Sequence, residues 1–262
     1  MNSKYVAAAW VLACLSASGC GKPQQPQLPG TQTRAAAPAA DAGESGKYRE
    51  QRQAMVRTLS SFGKFDAKVL AALGSVPRHE FVPAEWRREA YDPHHPLPIG
   101  EGQTISAPDV VAIMTHLLDV QPTDTCLEIG TGSGYQAAVL SLLSSQVYTI
   151  EIVPSLAKSA ESRLKALGYG NVHVLCGDGY KGWPQHAPFD KVIVTAAPPT
   201  VPQPLLDQLK PGGRMVLPVG EPHDCDLVLI SKNVDGSLTR ESVLRVAFVP
   251  MVGEAQKQKG DP

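Results

Sequence analysis

Residues 127–134 of the chain have the sequence Leu127-Glu128-Ile129-Gly130-Thr131-Gly132-Ser133-Gly134. The apolar run 125–129 predicts a strand and 136–143 has the pattern of a helix, so the glycines occupy a strand-to-helix turn. Glycines at such a turn allow the backbone to approach a ligand closely, and the following helix presents the positive end of its dipole. The segment therefore predicts a ligand-binding turn in an α/β protein.

The spacing of these glycines distinguishes between ligands. The dinucleotide motif GxGxxG would need a glycine at position 135, where the chain has Tyr135, and the phosphate-binding motif GxxxxGK[ST] is absent. The pattern is GxGxG with an acidic residue just before it, which is typical of S-adenosylmethionine sites. It predicts cofactor contacts from Glu128, Gly130, Gly132 and Gly134.

Two further acidic residues follow the next predicted strands. Glu151 closes the second strand, about 20 residues downstream, where a carboxylate can accept hydrogen bonds from both ribose hydroxyls. Asp178 follows the third strand, within Gly177-Asp178-Gly179, and is expected near the adenine. The alternative is that both acids only cap turns. We favour the cofactor site, because the glycine loop and the two acids come at three consecutive strand ends.

The remainder of the folded part alternates short β-rich runs with helical patterns. This alternation predicts an α/β fold with a mostly parallel, twisted sheet and helices on both faces, and two late strands with no helix between them predict an antiparallel edge. Helices are also expected around 55–62, 69–73 and 109–118, with a loop over 81–103. The predicted strands are 125–129, 147–150, 172–175, 191–195, 214–219, 227–231 and 243–248, and the later helices are 136–143, 156–167 and 204–209, the last ended by Pro211-Gly212-Gly213.

Composition excludes several classes of protein. The chain has 262 residues and a net charge of −1, with 24 Lys+Arg against 25 Asp+Glu, which does not favour a nucleic-acid-binding protein. No apolar run reaches the roughly 20 residues of a transmembrane helix. The cysteines form no CxxC and the histidines no HxxxH pair, so neither a disulfide framework nor a metal site is predicted. Cys126 and Cys176, in apolar runs, are expected to be buried thiols.

The amino-terminal residues differ from the rest of the chain. Residues 1–20 contain a lysine, an apolar stretch and Ala17-Ser18-Gly19-Cys20, which resembles a bacterial lipoprotein cleavage site except that Ala17 stands where Leu is usual. Residues 21–46 are rich in Pro, Gln and Ala and predict a flexible tether. The methyltransferase domain is expected at 47–262. An extension with no targeting role is the alternative.

The residues after the fourth strand bear on the methyl acceptor. Enzymes that methylate base amines often carry [DN]PP[YF] there, whereas this chain has Thr195-Ala196-Ala197-Pro198-Pro199, with no acid, amide or ring. No obvious base is present to deprotonate a hydroxyl acceptor either. A carboxylate acceptor would need no base, because it is already ionised with a pKa of about 4.

Several motifs resemble the protein-L-isoaspartate O-methyltransferase family. The likeness covers roughly residues 50–253, and its GQTIS segment is specific to the family, whereas the glycine loop is shared with many methyltransferases. The motifs are Leu97-Pro98-Ile99-Gly100-Glu101-Gly102-Gln103-Thr104-Ile105-Ser106, the glycine loop continued by Tyr135-Gln136, Gly177-Asp178-Gly179, Ala187-Pro188-Phe189-Asp190 with Val194-Thr195-Ala196-Ala197-Pro198, and Phe248-Val249-Pro250-Met251.

The resemblance implies a Rossmann-like methyltransferase fold, S-adenosylmethionine as donor, no metal, and repair of damaged proteins. The acceptor would be the free α-carboxylate of an L-isoaspartyl residue, whose methyl ester cyclises to a succinimide that can reopen as normal aspartate. The family is normally cytoplasmic, which a lipid-anchored, exported form would contradict. By matching motifs, the active-site serine is Ser106, the cofactor positions are Gly130, Gly132, Gly134, Glu151 and Asp178, and the substrate contacts are Ile99, Gln103 and Thr104.

Alternatives remain open for the serine and for the function. Ser106-Ala107-Pro108-Asp109 also has the pattern of a capping box, with Asp109 reaching back. Both interpretations place Ser106 at a helix N-terminus, where a carboxylate is favoured, and a catalytic Ser106 would orient the acceptor oxygen without acting as a nucleophile. The alternative functions are a methyltransferase for a small carboxylate metabolite, a non-enzymatic envelope protein that retains the fold and, remotely, a nicotinamide dehydrogenase.

Overall fold

The computed structural model of the chain describes residues 46–222 and 224–257. The predicted targeting segment at 1–20 lies outside these residues, as does the predicted tether apart from Gly46. No helix within the described ranges combines the length and the apolar character needed to cross a bilayer.

Three helices and a small hairpin precede the main sheet. The predicted loop over 81–103 is wrong at its end, because residues 97–105 form the hairpin; its strands are only three or four residues long, too short for a clear alternation. The elements are α1 (Gly46–Phe62), α2 (Ala67–Ser75), 3₁₀ turns at Arg78–Phe81 and Ala84–Trp86, β1 (Leu97–Gly100), β2 (Gln103–Ile105) and α3 (Pro108–Leu118).

The main sheet has seven strands, with helices or 3₁₀ turns between most of them. The elements are β3 (Thr125–Ile129), α4 (Tyr135–Ser141), β4 (Gln146–Glu151), α5 (Pro154–Ala166), β5 (Val172–Cys176), 3₁₀ turns at Gly179–Lys181 and Pro184–His186, β6 (Phe189–Val194), α6 (Gln203–Asp207), β7 (Leu209–Glu221), β8 (Asp224–Lys232), β9 (Leu238–Val246) and α7 (Glu254–Lys257). Across the sheet the strands have the order β5-β4-β3-β6-β7-β8-β9. Neighbours from β5 through β7 are parallel, and β7, β8 and β9 pair antiparallel. The antiparallel pairing of the last two strands is the edge that the sequence predicts.

Alternate residues of the central strands face two separate apolar layers. Cys126 and Ile193 belong to the layer that contains the buried residues of α1 to α4, whereas Leu127 and Val192 belong to the layer that contains those of α6 and α7. Because successive side chains of a strand point to opposite faces, one strand contributes to both layers. The prediction of helices on both faces is confirmed.

Three local predictions are wrong. Phe62 is 67% exposed because it ends α1, one turn beyond the buried Leu59. Cys176 is exposed at the end of the edge strand β5, whereas Cys126, in the central strand, is buried as predicted. The Pro211-Gly212-Gly213 segment lies inside the long strand β7 and does not end α6.

The topology determines where a ligand can bind. From β3 the chain adds β4 and β5 on one side of the sheet and then returns to place β6 on the other side of β3. Where the connections of adjacent parallel strands leave in opposite directions, a crevice opens outside their carboxyl ends. The turns after β3, β4 and β6 converge at this crevice.

Candidate functional site

A cavity lies at the crevice between β3 and β6. About 580 Å³ of space free of protein atoms lies within it, with the open solvent at its entrance included. Six segments line it: the strand β2, the glycine loop, the end of β4, the turn after β5, the turn after β6, and the chain after β9. The lining residues are Gln103, Thr104, Ile129, Gly130, Gly132, Ile150–Val153, Gly179, Thr195, Ala196 and Val249–Val252.

Gly130 and Gly132 form the floor of the cavity, and both have positive φ, 97° and 53° respectively. A Cβ added to Gly130 would overlap Thr195 Oγ1, which itself donates a hydrogen bond to the Gly130 carbonyl at 2.7 Å. A Cβ added to Gly132 would lie 3.2 Å from Ile99 Cδ1, a tight contact. Gly130 is thus required by packing, and Gly132 lines the cavity in a backbone conformation that residues with a Cβ rarely adopt.

Gly134 has a different role from the one that its spacing suggests. It does not line the cavity; it lies at the start of α4 with φ 92°. An added Cβ there would come 3.1 Å from Leu164 Cδ1 of α5. Gly134 therefore permits close packing between α4 and α5 and supports the loop from behind.

Glu151 is the only charged side chain among the described residues that line the cavity. Its carboxylate is buried: Oε2 accepts a hydrogen bond from the Gly132 backbone N–H at 2.7 Å, and Oε1 accepts one from the Val153 N–H at 3.0 Å. These bonds fix the carboxylate and tie the glycine loop to β4. Each carboxylate oxygen can accept more than one hydrogen bond, so acceptor capacity remains.

Asp178 lies beside the cavity without lining it. Its Oδ1 accepts a hydrogen bond from the Tyr180 N–H at 3.0 Å, and its Oδ2 accepts one from the Glu254 N–H at 2.9 Å. The neighbouring Gly179 lines the cavity in its place. This geometry agrees with the turn-capping alternative, although the residue occupies the predicted edge of the sheet.

Glu128 lies behind the cavity wall rather than on it, so it is not placed for the predicted direct contact with a ligand. It is fully buried in β3, where the Thr149 hydroxyl donates to Oε2 at 2.6 Å and Oε1 has no partner among the described residues. Burial raises the pKa of Glu128 to about 8, so the carboxyl is neutral at pH 7. The Thr149 hydroxyl also lies 2.6 Å from Thr131 Oγ1, which links Glu128 to the glycine loop.

The capping box predicted at Ser106 is wrong. Helix α3 has Ala107 at its N-cap, and no side chain caps it there. Asp109 instead bonds its own neighbour, accepting from the Val110 N–H at 2.6 Å, and lies 2.7 Å from His94 Nδ1. The Ser106 side chain therefore does not cap the N-terminus of this helix.

A buried arginine fixes the backbone at Ser106. Arg78 is fully buried, and its Nη2 donates to the Ser106 carbonyl at 2.8 Å while its Nε donates to the Ala90 carbonyl at 2.7 Å. The guanidinium stacks 4.7 Å from the centre of the Tyr135 ring. Ser106, half-buried, lies two residues beyond Thr104 of the cavity wall without lining the cavity itself.

The hairpin β1–β2 forms one wall of the cavity. Of the three predicted substrate residues, Gln103 and Thr104 line the cavity, whereas Ile99 lies on β1 of the same hairpin without lining it. Glu101, at the hairpin tip, adopts φ 54°, and its Oε1 accepts a hydrogen bond from the Ser155 hydroxyl of α5 at 2.7 Å. The tip is thus connected to the helix that follows Glu151.

The cavity lining also includes residues to which the sequence assigns no individual role, those after β9. The Ala197 N–H donates to the Val249 carbonyl at 2.8 Å, and the Met251 N–H donates to the Ala197 carbonyl at 2.8 Å. Residues 249–252 line the cavity through this pairing. The family motif 248–251 was the only signal that could have found them, because a single bridge leaves no periodic pattern in the sequence.

The described part of the chain contains no group of three or more His, Cys, Asp or Glu side chains arranged to hold a metal ion.

Comparisons with known proteins agree with this architecture. The model of the protein-L-isoaspartate(D-aspartate) O-methyltransferase family matches residues 50–256. Two solved structures cover most of the described fold: a protein-L-isoaspartate O-methyltransferase (28% identity, TM-score 0.70, 78% of this chain and 67% of the other) and a Plasmodium falciparum protein described as such an enzyme in complex with S-adenosyl-L-homocysteine (22%, 0.67, 77% and 98%). The predicted Rossmann-like methyltransferase fold is confirmed.

Sequence relatives share the same family name. Protein-L-isoaspartate O-methyltransferase 2 of Syntrophobacter fumaroxidans is 52% identical over 215 residues, which is 81% of this chain and 87% of the relative. The protein of the same name from Nitrosococcus oceani is 55% identical over 189 residues, 72% of this chain and 86% of the relative. With the family model matching most of its length, this chain belongs to the protein-L-isoaspartate(D-aspartate) O-methyltransferase family.

Proposed function

We propose that this chain transfers a methyl group from S-adenosylmethionine to the free α-carboxylate of L-isoaspartyl residues in damaged proteins, and that the cavity between β3 and β6 holds the donor. Family membership supports the reaction. The single observation that supports the location is the buried Glu151 carboxylate, fixed at the cavity wall by the Gly132 and Val153 N–H groups. A methyltransferase for a small metabolite and a non-enzymatic protein are not favoured by these relatives.

The chemistry of the lining residues fits the donor. Gly132 lines the cavity without a side chain, and Glu151 offers acceptor capacity of the kind that a ribose diol needs. The dinucleotide motif needs a third glycine at position 135, where the chain has Tyr135. The glycine spacing therefore suits a nucleoside without phosphates better than a dinucleotide.

The proposed reaction needs positioning more than acid–base chemistry. The bound donor supplies an electrophilic methyl group on a positively charged sulfur, and the acceptor carboxylate is ionised at neutral pH. The chain's task is to exclude water and to align the two, which can supply much of the rate enhancement. Ser106, on backbone fixed by Arg78, is the residue we assign to orient the acceptor oxygen, next to the cavity wall that Gln103 and Thr104 line.

Donor binding tests the assignment of the cavity. Replacing Glu151 by Gln puts an amide N–H₂ beside backbone N–H donors, and donor binding should weaken by roughly 1–3 kcal/mol, the cost of losing a charged hydrogen-bond partner. Glu161→Gln, an exposed change on α5, is the matched control and should leave affinity unchanged. Calorimetry that gives wild-type affinity for Glu151→Gln would remove the site from this cavity.

We also propose that residues 47–262 form the catalytic domain and act in the cytoplasm, where the donor is made. The alternative is an exported form anchored by a lipid on Cys20. Cell fractionation with radiolabelled lipid distinguishes the two locations. Lipid label on the wild type that is lost in Cys20→Ala, with the protein in the envelope fraction, would contradict the cytoplasmic location.

A further inference from the structure

Two side chains at the carboxyl ends of β4 and β6 hold the glycine loop in place. The Thr195 hydroxyl donates to the Gly130 carbonyl at 2.7 Å, and the Gly132 N–H donates to Glu151 Oε2 at 2.7 Å. Thr195 and Glu151 both line the cavity, so they face the proposed donor as well as the loop.

A third restraint on the loop comes from helix α5, across 30 positions of sequence. Nη1 of Arg163 donates to the Ser133 carbonyl at 2.9 Å. Nη2 of the same guanidinium donates to the Ser159 hydroxyl, one turn earlier on the helix, at 3.2 Å. The planar guanidinium is therefore oriented by its own helix and reaches the loop with its other nitrogen.

The next residue of α5 supports the next residue of the loop. Gly134 has φ 92°, and an added Cβ there would lie 3.1 Å from Leu164 Cδ1. Arg163 and Leu164 thus approach Ser133 and Gly134 in turn, and α5 holds the end of the loop through one polar and one apolar contact.

The hydrogen bond from Arg163 is charge-assisted and partly shielded from water. The Arg163 side chain is half-buried, and Ser133 is buried. Burial lowers the pKa of Arg163, and the Glu80 carboxylate opposes that change; an arginine guanidinium nevertheless stays protonated in proteins. Hydrogen bonds to charged groups contribute more to stability than neutral ones do.

We propose that Arg163 is a positioning residue for the donor, which fixes the glycine loop in the conformation that binds S-adenosylmethionine without touching the donor itself. The proposal rests on the proposed function of the cavity as the donor site. Arg163 does not line the cavity, whereas Gly132, one residue before Ser133, does. Arg163 therefore affects the donor through the loop.

Loss of Arg163 should weaken donor binding by lowering the fraction of molecules in which the loop is ordered. The apparent dissociation constant of a ligand rises in proportion as the binding-competent fraction falls. Because a hydrogen bond to a charged group is lost, we expect Arg163→Met to bind S-adenosylhomocysteine about tenfold more weakly in calorimetry. The kcat, and the KM for an isoaspartyl peptide, should be nearly unchanged when both are measured at saturating donor. A general loss of stability in a protein that remains folded would not produce this split.

Two further variants serve as controls for the calorimetry. Lys165→Met removes an exposed cation from the same helix and should leave donor affinity unchanged. Arg163→Lys keeps a cationic donor and should recover part of the affinity. Wild-type affinity in Arg163→Met, or equal losses in Arg163→Met and Lys165→Met, would overturn the proposal. An Arg163→Lys variant as weak as Arg163→Met would attribute the effect to packing of the side-chain stem and would overturn it as well.

Hydrogen exchange in the ligand-free protein tests the loop itself. The amides of Gly132 and Gly134 are both hydrogen-bonded, the latter to the Thr131 carbonyl at 2.8 Å. In Arg163→Met both amides should exchange about tenfold faster than in the wild type, and in the lysine control they should not. Unchanged exchange in Arg163→Met would overturn the proposal. Failure of the wild type to bind S-adenosylhomocysteine would contradict the donor site itself, and the exchange result, which needs no ligand, would still decide whether Arg163 fixes the loop.

Discussion

Two glutamates in adjacent strands show how the surroundings of a side chain determine its role. Glu128 has one hydroxyl donor, an unpartnered oxygen and a pKa raised by burial to about 8, whereas Glu151 accepts two backbone N–H groups at the cavity wall. The sequence predicts a cofactor contact from both glutamates and does not show which of them reaches the cavity. That difference depends on which face of the strand each side chain occupies and on the turn that follows.

The first prediction concerns Gly132. Gly132→Val places a branched side chain on backbone with φ 53°, where an added Cβ already lies 3.2 Å from Ile99 Cδ1 at the cavity floor. We expect donor binding to be lost while the protein remains folded, as measured by calorimetry and circular dichroism. Residues with a Cβ are strained at this φ, by roughly 1–2 kcal/mol.

A control separates strain from obstruction. Gly168 also has positive φ, 85°, and an added Cβ there meets nothing within 4 Å. Gly168→Val should therefore lower the stability by a similar amount and leave donor affinity unchanged. If the two variants lose affinity equally, the effect of Gly132→Val would come from general destabilisation.

The second prediction concerns Ser106. Its backbone is held by Arg78, so Ser106→Ala removes only the hydroxyl and leaves that hydrogen bond to the carbonyl intact. We expect turnover to fall by about 100-fold, as for a displacement of about 1 Å of a reacting group, with donor affinity nearly unchanged. Steady-state kinetics with calorimetry measure the two effects. An equal loss of turnover and donor affinity, or no loss of either, would contradict the orienting role of Ser106.

At the scale of elements, part of the cavity lining comes from segments outside the main sheet, the hairpin and the chain after β9. The sequence predicts the sheet strands well because their apolar runs are long enough to show a pattern, and it predicts α3 for the same reason. It does not predict the hairpin of 97–105 or the pairing of 249–251, because each depends on a few backbone hydrogen bonds with distant partners. The capping box at Ser106 failed for a related reason, since Asp109 is occupied by Val110 and His94.

The third prediction concerns the protonation of Glu128, which joins β3 to β4 through its hydrogen bond from Thr149. The pKa of Glu128 is about 8 in the folded protein against a usual value of 4.5. Between these values the folded protein keeps a proton that the unfolded chain has released, so the stability contributed by the neutral acid is full below about pH 4.5 and lost as pH rises through about 8.

Glu128→Gln cannot ionise and should flatten this dependence. Urea unfolding near pH 5 and near pH 9 should show a larger fall in the free energy of unfolding for the wild type than for the variant. Glu161→Gln, exposed on α5, provides the control for removing a carboxylate. The same fall in wild type and Glu128→Gln would mean that Glu128 is already ionised in the folded protein.

At the scale of the whole molecule, topology brings the site together. The glycine loop, Glu151 and the turn after β6 are distant in sequence and meet because β3, β4 and β6 are parallel neighbours whose carboxyl ends share one edge. Strand and helix alternation was enough to predict that edge. The identity of the acceptor does not follow from the residues alone. Their chemistry favours a carboxylate, and the family resemblance indicates that it is the α-carboxylate of an isoaspartyl residue.

The central claim is the choice of acceptor. An isoaspartyl residue routes the main chain through its side-chain carbonyl and leaves the α-carboxylate on a branch one carbon shorter than that of aspartate. A site that aligns one carboxylate oxygen with the methyl group should discriminate strongly, since a misplacement of about 1 Å can cost about 100-fold in rate. The most direct measurement is transfer of a radiolabelled methyl group to two peptides of identical sequence, one with L-isoaspartate and one with aspartate. The account predicts methylation of the isoaspartyl peptide with its aspartyl twin nearly unmodified, and equal methylation of both, or of neither, would contradict it.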